Sequence, residues 1–172
     1  VAIAIALACE PKLLIADEPT TALDVTVQAG ILDLLQQQQR ERHMSMILIT
    51  HDLGVVAGRT DEIAVMYAGK LVERSSTKAL FANTRMPYTQ ALMESIPHLD
   101  QPTHTRLKTI SGHPPNLINP PLGCRFAPRC SRADEHCQEA EPSLRSDDGA
   151  DHTYACWRPV GQPPTRAAAE VS

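Results

Sequence analysis

With 172 residues and 42% hydrophobic content, the chain has the size and composition of a globular domain. Aromatic residues make up only 3%, so we expect an aliphatic core. The net charge of -4 gives no concentrated basic face, which argues against a nucleic-acid partner. No apolar run reaches the roughly 20 residues that span a bilayer, and no signal peptide is visible, so we expect a cytoplasmic location.

The composition changes along the chain. Twelve of the 14 prolines fall at or after Pro87, and four of the five cysteines fall at or after Cys124. The earlier part is typical of regular secondary structure, and the later part is typical of loops. We therefore predict domain limits at residues 1–85 and 86–160, followed by a disordered tail over 161–172.

The first elements alternate between helix and strand. VAIAIALAC favours a helix that Pro11 stops, and LLIAD predicts a strand buried on both faces. After Asp24 the apolar residues repeat with helical spacing, which predicts an amphipathic helix with a polar, glutamine-rich end. Its predicted buried face consists of Val27, Ile31, Leu34 and Leu35.

SMILIT predicts a second buried strand, and Asp52 is placed to cap the helix that follows. Strand, helix and strand in this order require a crossover connection and a parallel sheet. Residues 62–73 predict a hairpin around Ala68-Gly69, and short helices are predicted over 77–82 and 88–95. The expected fold class is α/β.

Ionisable residues follow both predicted parallel strands. Asp17 and Glu18 end the first strand, and His51 follows the second. Ligands of parallel α/β sheets bind beyond the carboxyl ends of the strands, so these groups suit phosphoryl transfer from a magnesium nucleotide. On spacing alone, an alternative stays open: the two carboxylates end a strand in solvent and His51 caps a loop.

The same residues carry a family resemblance. LLIADEPTTALD resembles the Walker B motif and D-loop of ABC-transporter ATPases, LITHDL resembles their switch-histidine motif, and AVMYAGKLVE resembles their hairpin. The resemblance implies that Asp17 holds Mg²⁺ through water, that Glu18 is the catalytic base, and that His51 contacts the γ-phosphate of ATP. It places Asp24 in the D-loop at a dimer interface, although an N-cap role for Asp24 is equally compatible.

The resemblance also implies a missing part. VAIAIALA matches the helix that follows the signature motif in this family, and the 172 residues contain no G-x-x-x-x-G-K-[ST]. We therefore expect a fragment of a P-loop ATPase domain without Walker A, Q-loop or signature motif. Because phosphate positioning is most of this catalysis, we expect the fragment alone to be inactive.

The later region carries four cysteines with the spacing C-x5-C-x6-C-x18-C. A reducing compartment disfavours disulfides, and the C-x2-4-C pairs of zinc sites are absent, whereas iron–sulfur clusters tolerate irregular spacing. Arginines nearby either offset a cluster's charge or are solvated, and histidines nearby are either zinc ligands or polar loop residues. These are Arg125, Arg129 and Arg132, and His113, His136 and His152. Cys9 is predicted to be a small core residue.

A second resemblance covers this region. MPYTQALMESIP, ISGHPPNL and PPLGCRFAPRC resemble the carboxyl-terminal extension of the oligopeptide/dipeptide importer ATPases. The resemblance implies a [4Fe–4S] cluster held by the four cysteines Cys124, Cys130, Cys137 and Cys156.

Together the resemblances imply part of an ATP-hydrolysing subunit that energises peptide import from the cytoplasmic face of the membrane. The implied partners are a second ATPase subunit, two membrane permeases and an external solute-binding protein. One alternative is a remnant that acts only as a metal-cluster interaction module, and another is the ATPase of a sister importer for nickel or other solutes. A DNA-repair ABC ATPase is disfavoured by the importer-like extension.

Overall fold

The computed structural model describes residues 2–21, 23–96, 109–147 and 151–161. It divides into two compact units, Val1–Val55 and Val56–Ser172. The predicted disordered tail lies, apart from Gly161, outside the described residues. Among the described helices, none is long and apolar enough to cross a membrane.

The first unit contains the predicted alternation of helices and strands. Strands β1 and β2 pair in parallel, with Leu13 opposite Ser45 and Asp17 opposite Ile49. Helix α2 connects them, which confirms the predicted crossover. The elements are α1 (Ala2–Leu7), β1 (Leu13–Asp17), α2 (Val25–Glu41), β2 (Ser45–Ile49) and α3 (Leu53–Val56).

The core of this unit is aliphatic, as the composition predicts, but the prediction is wrong for the second unit, which buries Tyr67, Phe126 and Tyr154. The buried members of the first unit's core are Leu7, Leu14, Leu35 and Met44, with Ile3, Ile31 and Met46 packed against them. Within α2, Leu32 and Leu35 are buried, whereas Val27 and Leu34 are both 45% exposed. The predicted buried face is therefore wrong for Val27 and Leu34, because the stripe that faces the core runs through Leu32 instead.

The parallel sheet is covered on one side only within the described residues. Leu14 and Ala16 are buried, whereas Leu13 and Ile15 on the opposite face of β1 are exposed. Ile47 and Ile49 of β2 are exposed as well. The prediction that these strands are buried on both faces is wrong for this unit, because α1 and α2 supply apolar side chains to a single face.

The second unit is built on a β-hairpin. Strands β3 and β4 pair antiparallel, as predicted, and β5, which was not predicted, pairs with the other edge of β4. The elements are β3 (Glu62–Tyr67), β4 (Lys70–Ser76), α4 (Thr77–Ala82), α5 (Pro87–Glu94), a 3-10 helix (Ala127–Arg129), α6 (Glu135–Glu139) and β5 (Thr153–Tyr154). Parallel and antiparallel pairing together confirm the α/β class.

The hairpin turn matches the chemistry predicted for it. Ala68 and Gly69 both have positive φ, 49° and 78°, as the two central residues of a two-residue turn require. Arg125 donates a hydrogen bond from its guanidinium to the carbonyl of Ala68 at 2.5 Å. A residue of the cysteine-rich region thereby fixes the turn of the hairpin.

A buried carboxylate joins three segments of this unit. Glu73 on β4 is fully buried and accepts hydrogen bonds from the backbone N–H groups of Arg85 at 2.6 Å and Met86 at 3.1 Å. Its Oε1 also lies 2.8 Å from Nε2 of His152. Glu73 therefore connects β4 to the start of α5 and to the segment before β5.

We expect Glu73→Gln to lower the free energy of unfolding by about 2–4 kcal/mol. The amide cannot accept at both positions and directs an N–H₂ toward existing donors, and hydrogen bonds to charged groups contribute about 1.5–3 kcal/mol each. Urea unfolding followed by Trp157 fluorescence measures the change. The matched control is Glu62→Gln, which removes an exposed partner of Arg74 and should cost under about 1 kcal/mol. Equal urea midpoints for the Glu73 and Glu62 variants would contradict the role of Glu73 as a buried acceptor that stabilises the unit.

Candidate functional site

The predicted catalytic side chains meet where the two parallel strands end. β1 ends at Asp17 and β2 ends at Ile49, and the N–H of Glu18 donates to the carbonyl of Ile49 at 2.9 Å. This bond extends the pairing of the strands by one residue. As a result, Glu18 and His51, which are far apart in sequence, lie side by side.

Glu18 contacts both His51 and Thr21. Its Oε1 lies 3.0 Å from Nδ1 of His51, and its Oε2 accepts a hydrogen bond from Oγ1 of Thr21 at 2.8 Å. Glu18 also has a φ of 44°, in the left-handed region that non-glycine residues seldom adopt. Such backbone conformations cost free energy and cluster at functional sites, where surrounding contacts hold them.

The contacts determine the charge of the Glu18 carboxylate. The hydrogen bond with His51, followed by that from Thr21, lowers the pKa of Glu18. The carboxylate is therefore ionised at neutral pH. The side chains of Glu18 and His51 are 44% and 78% exposed, so a water molecule can reach both. An accessible ionised carboxylate can accept a proton from such a water.

Asp17 lies on the strand itself. It is the last residue of β1, its side chain is exposed, and its register partner is Ile49. Within the described residues, no group of three or more His, Cys, Asp or Glu side chains is placed to hold a metal ion. Magnesium in nucleotide sites takes one or two carboxylates together with waters and phosphate oxygens, so it does not need such a group.

Asp24 is the N-cap of α2. Its Oδ1 accepts hydrogen bonds from the N–H groups of Thr26 at 3.1 Å and Val27 at 3.0 Å. The capping role that the sequence left open for Asp24 is therefore present. These contacts leave the D-loop role of Asp24 a prediction.

The four cysteines of the later region surround one small cavity in the second unit. Cys124, Cys130, Cys137 and Cys156 all line this cavity, whose volume of about 10 Å³ is that of roughly one water molecule. Three of them lie within residues 124–137, and Cys156 comes from the segment after β5. The fold therefore brings together the four thiols that the spacing alone could only suggest as a set.

The environment of the sulfur atoms combines burial with backbone donors. The N–H groups of Arg132 and Arg158 point to Sγ of Cys130 at 3.4 Å and of Cys156 at 3.3 Å. Burial raises the pKa of Cys156 to about 12 and that of Cys137 to about 11, and it also raises the pKa values of the other two thiols. Without a cation the sulfurs are neutral thiols at physiological pH.

The arginines near the thiols are structural residues. Arg125 binds the carbonyl of Ala68, and Arg129 donates to the carbonyls of Ile110 and Ser111. Arg132 donates to the carbonyls of Arg158 and Pro159. The alternative that these arginines are solvated is wrong, because all three are half-buried against backbone oxygens. Their role in offsetting the charge of a cluster stays a prediction.

The remaining candidates have other environments. His113 is exposed, the His136 ring lies 4.5 Å from that of Trp157, and His152 contacts Glu73. Cys9 is exposed in the turn after α1, so the prediction of a core residue is wrong for this unit.

Several residues of these sites were missed from the sequence. The sequence pattern around Thr21 indicated no role beyond its place in LLIADEPTTALD, and no pattern indicated a role for Arg158. Asp134 had a signal, since an Asp directly before Glu-His-Cys is a helix N-cap pattern. It caps α6 by accepting from the N–H of Cys137 at 3.1 Å.

Comparison with known proteins agrees with this assembly of motifs. Residues 72–137 match the family described as oligopeptide/dipeptide transporter, C-terminal region. The match begins within β4 and ends at Cys137. The predicted resemblance is confirmed as a similarity: residues 72–137 match the C-terminal region of oligopeptide/dipeptide transporters, and most of the chain is similar to ATP-binding proteins of dipeptide and oligopeptide transport.

The similar proteins carry transport names. The chain is 51% identical over 159 residues to the dipeptide transport ATP-binding protein DppD of Bacillus subtilis, covering 91% of this chain and 46% of that protein. It is 55% identical over 157 residues to the oligopeptide transport ATP-binding protein OppD of Haemophilus influenzae, covering 91% and 48%. For OppD of Escherichia coli the identity is 50% over 160 residues, covering 93% and 47%. The chain thus spans about half the length of these relatives.

The cap geometry of Asp24 yields a test of its capping role. We expect Asp24→Ala to cost about 1 kcal/mol of stability, because two N–H groups lose their acceptor, and Asp24→Asn to cost almost nothing, because Asn caps equally well. Urea unfolding of both variants measures how much the cap contributes to the free energy of unfolding. Equal stability of the Ala and Asn variants would contradict it.

Proposed function

We propose that this chain is the part of a peptide-importer ATPase subunit that supplies the catalytic base and the γ-phosphate contact for ATP hydrolysis. The observation that carries the proposal is the 3.0 Å contact between Glu18 and His51 at the carboxyl ends of two parallel strands. The similarity to oligopeptide and dipeptide transport ATP-binding proteins supports it.

Each side chain of the site then has a distinct role. Glu18 orients the attacking water and accepts its proton as the water oxygen bonds to the γ-phosphorus and the bond to the leaving ADP oxygen breaks. His51 contacts the γ-phosphate. Asp17 would hold Mg²⁺, which would offset phosphate charge when bound. Asp24 lies at the interface with a second ATPase subunit.

The chain on its own is proposed to be inactive. Its 172 residues contain no G-x-x-x-x-G-K-[ST], and therefore no loop whose backbone N–H groups and lysine hold the phosphates. A base without a positioned phosphate contributes little to this reaction. Hydrolysis requires a subunit that also carries the phosphate-binding residues.

The proposed setting is an importer for dipeptides or oligopeptides. The partners are a second ATPase subunit, two membrane permeases and an external solute-binding protein, with the subunit peripheral on the cytoplasmic face of the membrane. The relatives cited above are named for dipeptide or oligopeptide transport, so peptides are favoured over nickel or other solutes as the transported substrate.

The test of the base uses Glu18→Gln in a full-length subunit that carries this segment. We expect ATP hydrolysis to fall by about 10²–10⁴, since the amide keeps the shape but not the basicity of the carboxylate. ATP binding should survive. Steady-state phosphate release and nucleotide titration measure the two. Turnover near that of the wild type would refute the role of Glu18.

For residues 86–160 we propose an extension that holds a [4Fe–4S] cluster through Cys124, Cys130, Cys137 and Cys156. The donor set supports the proposal, because four cysteines line one cavity and two of the sulfurs face backbone N–H groups, whereas the described residues bring no three metal ligands to one point and the cavity holds about 10 Å³. Such a cluster is held by four cysteine thiolates, one for each iron. It therefore needs no single point where three ligands meet.

Anaerobically purified protein is expected to be brown, with roughly four iron and four sulfide per chain. Replacing any one of the four cysteines by Ser should remove most of the iron, because a hydroxyl is a poorer ligand than a thiolate. Cys9→Ser is the control and should keep it, since Cys9 lies in the first unit. Metal analysis measures the iron and sulfide content, and the visible spectrum shows whether a cluster is present. A colourless protein with one zinc would overturn the cluster assignment.

A further inference from the structure

We propose that four residues outside the thiol set, Gly123, Arg132, Asp134 and Arg158, form a frame that holds the four cysteines in place without metal. The inference rests on the proposed cluster. It concerns how the chain itself keeps the site assembled, and the frame residues are positioning residues that do not bind iron.

Asp134 joins the segments of two cysteines. Its Oδ1 accepts from the N–H of Cys137 at 3.1 Å, and its Oδ2 accepts from Nε of Arg158 at 2.6 Å. Arg158 lies two residues after Cys156, and its own N–H points to that sulfur. One carboxylate therefore fixes the distance between the Cys137 helix and the Cys156 segment.

Arg132 ties a third cysteine to the same segment. Its N–H points to Sγ of Cys130 at 3.4 Å, while its guanidinium donates to the carbonyls of Arg158 at 3.1 Å and Pro159 at 3.2 Å. The backbone of Arg132 thus contacts one thiol, and its side chain holds the stretch that follows another.

Gly123 connects the fourth cysteine. The N–H of Cys124 donates to the carbonyl of Cys137 at 2.8 Å, which requires the two backbones to approach closely. A Cβ on Gly123 would lie 2.4 Å from the carbonyl oxygens of both Cys137 and Gln138, well inside van der Waals contact. Only glycine fits, and the four segments are thereby joined in one connected set of contacts.

The Asp134–Arg158 pair is less exposed than the Glu62–Arg74 pair, whose side chains are 49% and 55% exposed. The side chains of Asp134 and Arg158 are 38% and 24% exposed, and the carboxylate is shared between a helix cap and a guanidinium. Groups that orient metal ligands typically change metal affinity by about 10–100-fold when they are removed. A frame of this kind reduces the ordering that cluster binding would otherwise require.

The test measures iron release from the 172-residue chain to a chelator under anaerobic conditions, followed by loss of visible absorbance. We expect Asp134→Asn, which keeps the helix cap but loses the ion pair, to release iron about 10–100-fold faster than the wild type. Arg158→Gln should behave alike, and the double variant should be no faster than either, because the two residues act as a pair.

The matched control is Arg74→Gln. Arg74 forms a two-bond ion pair with Glu62 in the same unit, at 2.5 and 3.0 Å, on the hairpin. It should release iron at the wild-type rate. Gly123→Ala should lose iron fastest of all, since it displaces the Cys124 segment.

Urea unfolding of the metal-free variants separates positioning from general stability. The frame predicts midpoints close to that of Arg74→Gln together with faster iron release. Iron release at the wild-type rate in Asp134→Asn and Arg158→Gln would overturn the frame but leave the cluster standing. A fall in midpoint that accounts for the faster release would also overturn it. A wild-type protein without iron would overturn both proposals.

Discussion

Buried backbone N–H and C=O groups must find hydrogen-bond partners, and much of the second unit is organised around this constraint. Much of its chain lies outside helices and strands, so side chains supply the partners that secondary structure would otherwise provide. Glu73 accepts from two backbone N–H groups, and Arg129 and Arg132 each donate to two carbonyls. This loop-rich unit holds a defined shape through these bonds together with the packed rings of Tyr67, Tyr88 and Phe126.

In the first unit, the same requirement is met by strand pairing, and the proposed catalytic site lies where the pairing ends. The last ladder bond, from Glu18 to Ile49, brings the carboxylate beside His51. The left-handed φ of Glu18 shows that the chain turns sharply there. A carboxylate held by a strand end, a histidine and a threonine has little freedom, which is what a base that must meet a water at one position requires.

The sequence predicted the elements better than it predicted their surroundings. LLIAD and residues 77–82 agree with the observed bounds, because buried strands and capped helices depend on local pattern. The exposure of Leu34 and of Ile15 was not foreseen, because periodicity identifies an apolar face without saying what covers it. Some contacts join residues that are far apart in sequence, such as Asp134 with Arg158 or Glu73 with His152. No spacing in the sequence predicts such contacts.

The four cysteines show that two kinds of interaction can hold loops together: contacts across long separations, and bonds to a metal. Burial keeps isolated thiols protonated, so without a cation the cavity is lined by four neutral thiols together with Arg132 and Arg158. Neutral thiols attract one another only weakly. The stretch that holds Cys124, Cys130 and Cys137 and the segment of Cys156 would separate unless other bonds held them. The ion pair, the helix cap and the glycine contact are bonds of this kind, so the proposed frame would hold the thiols together before a metal binds.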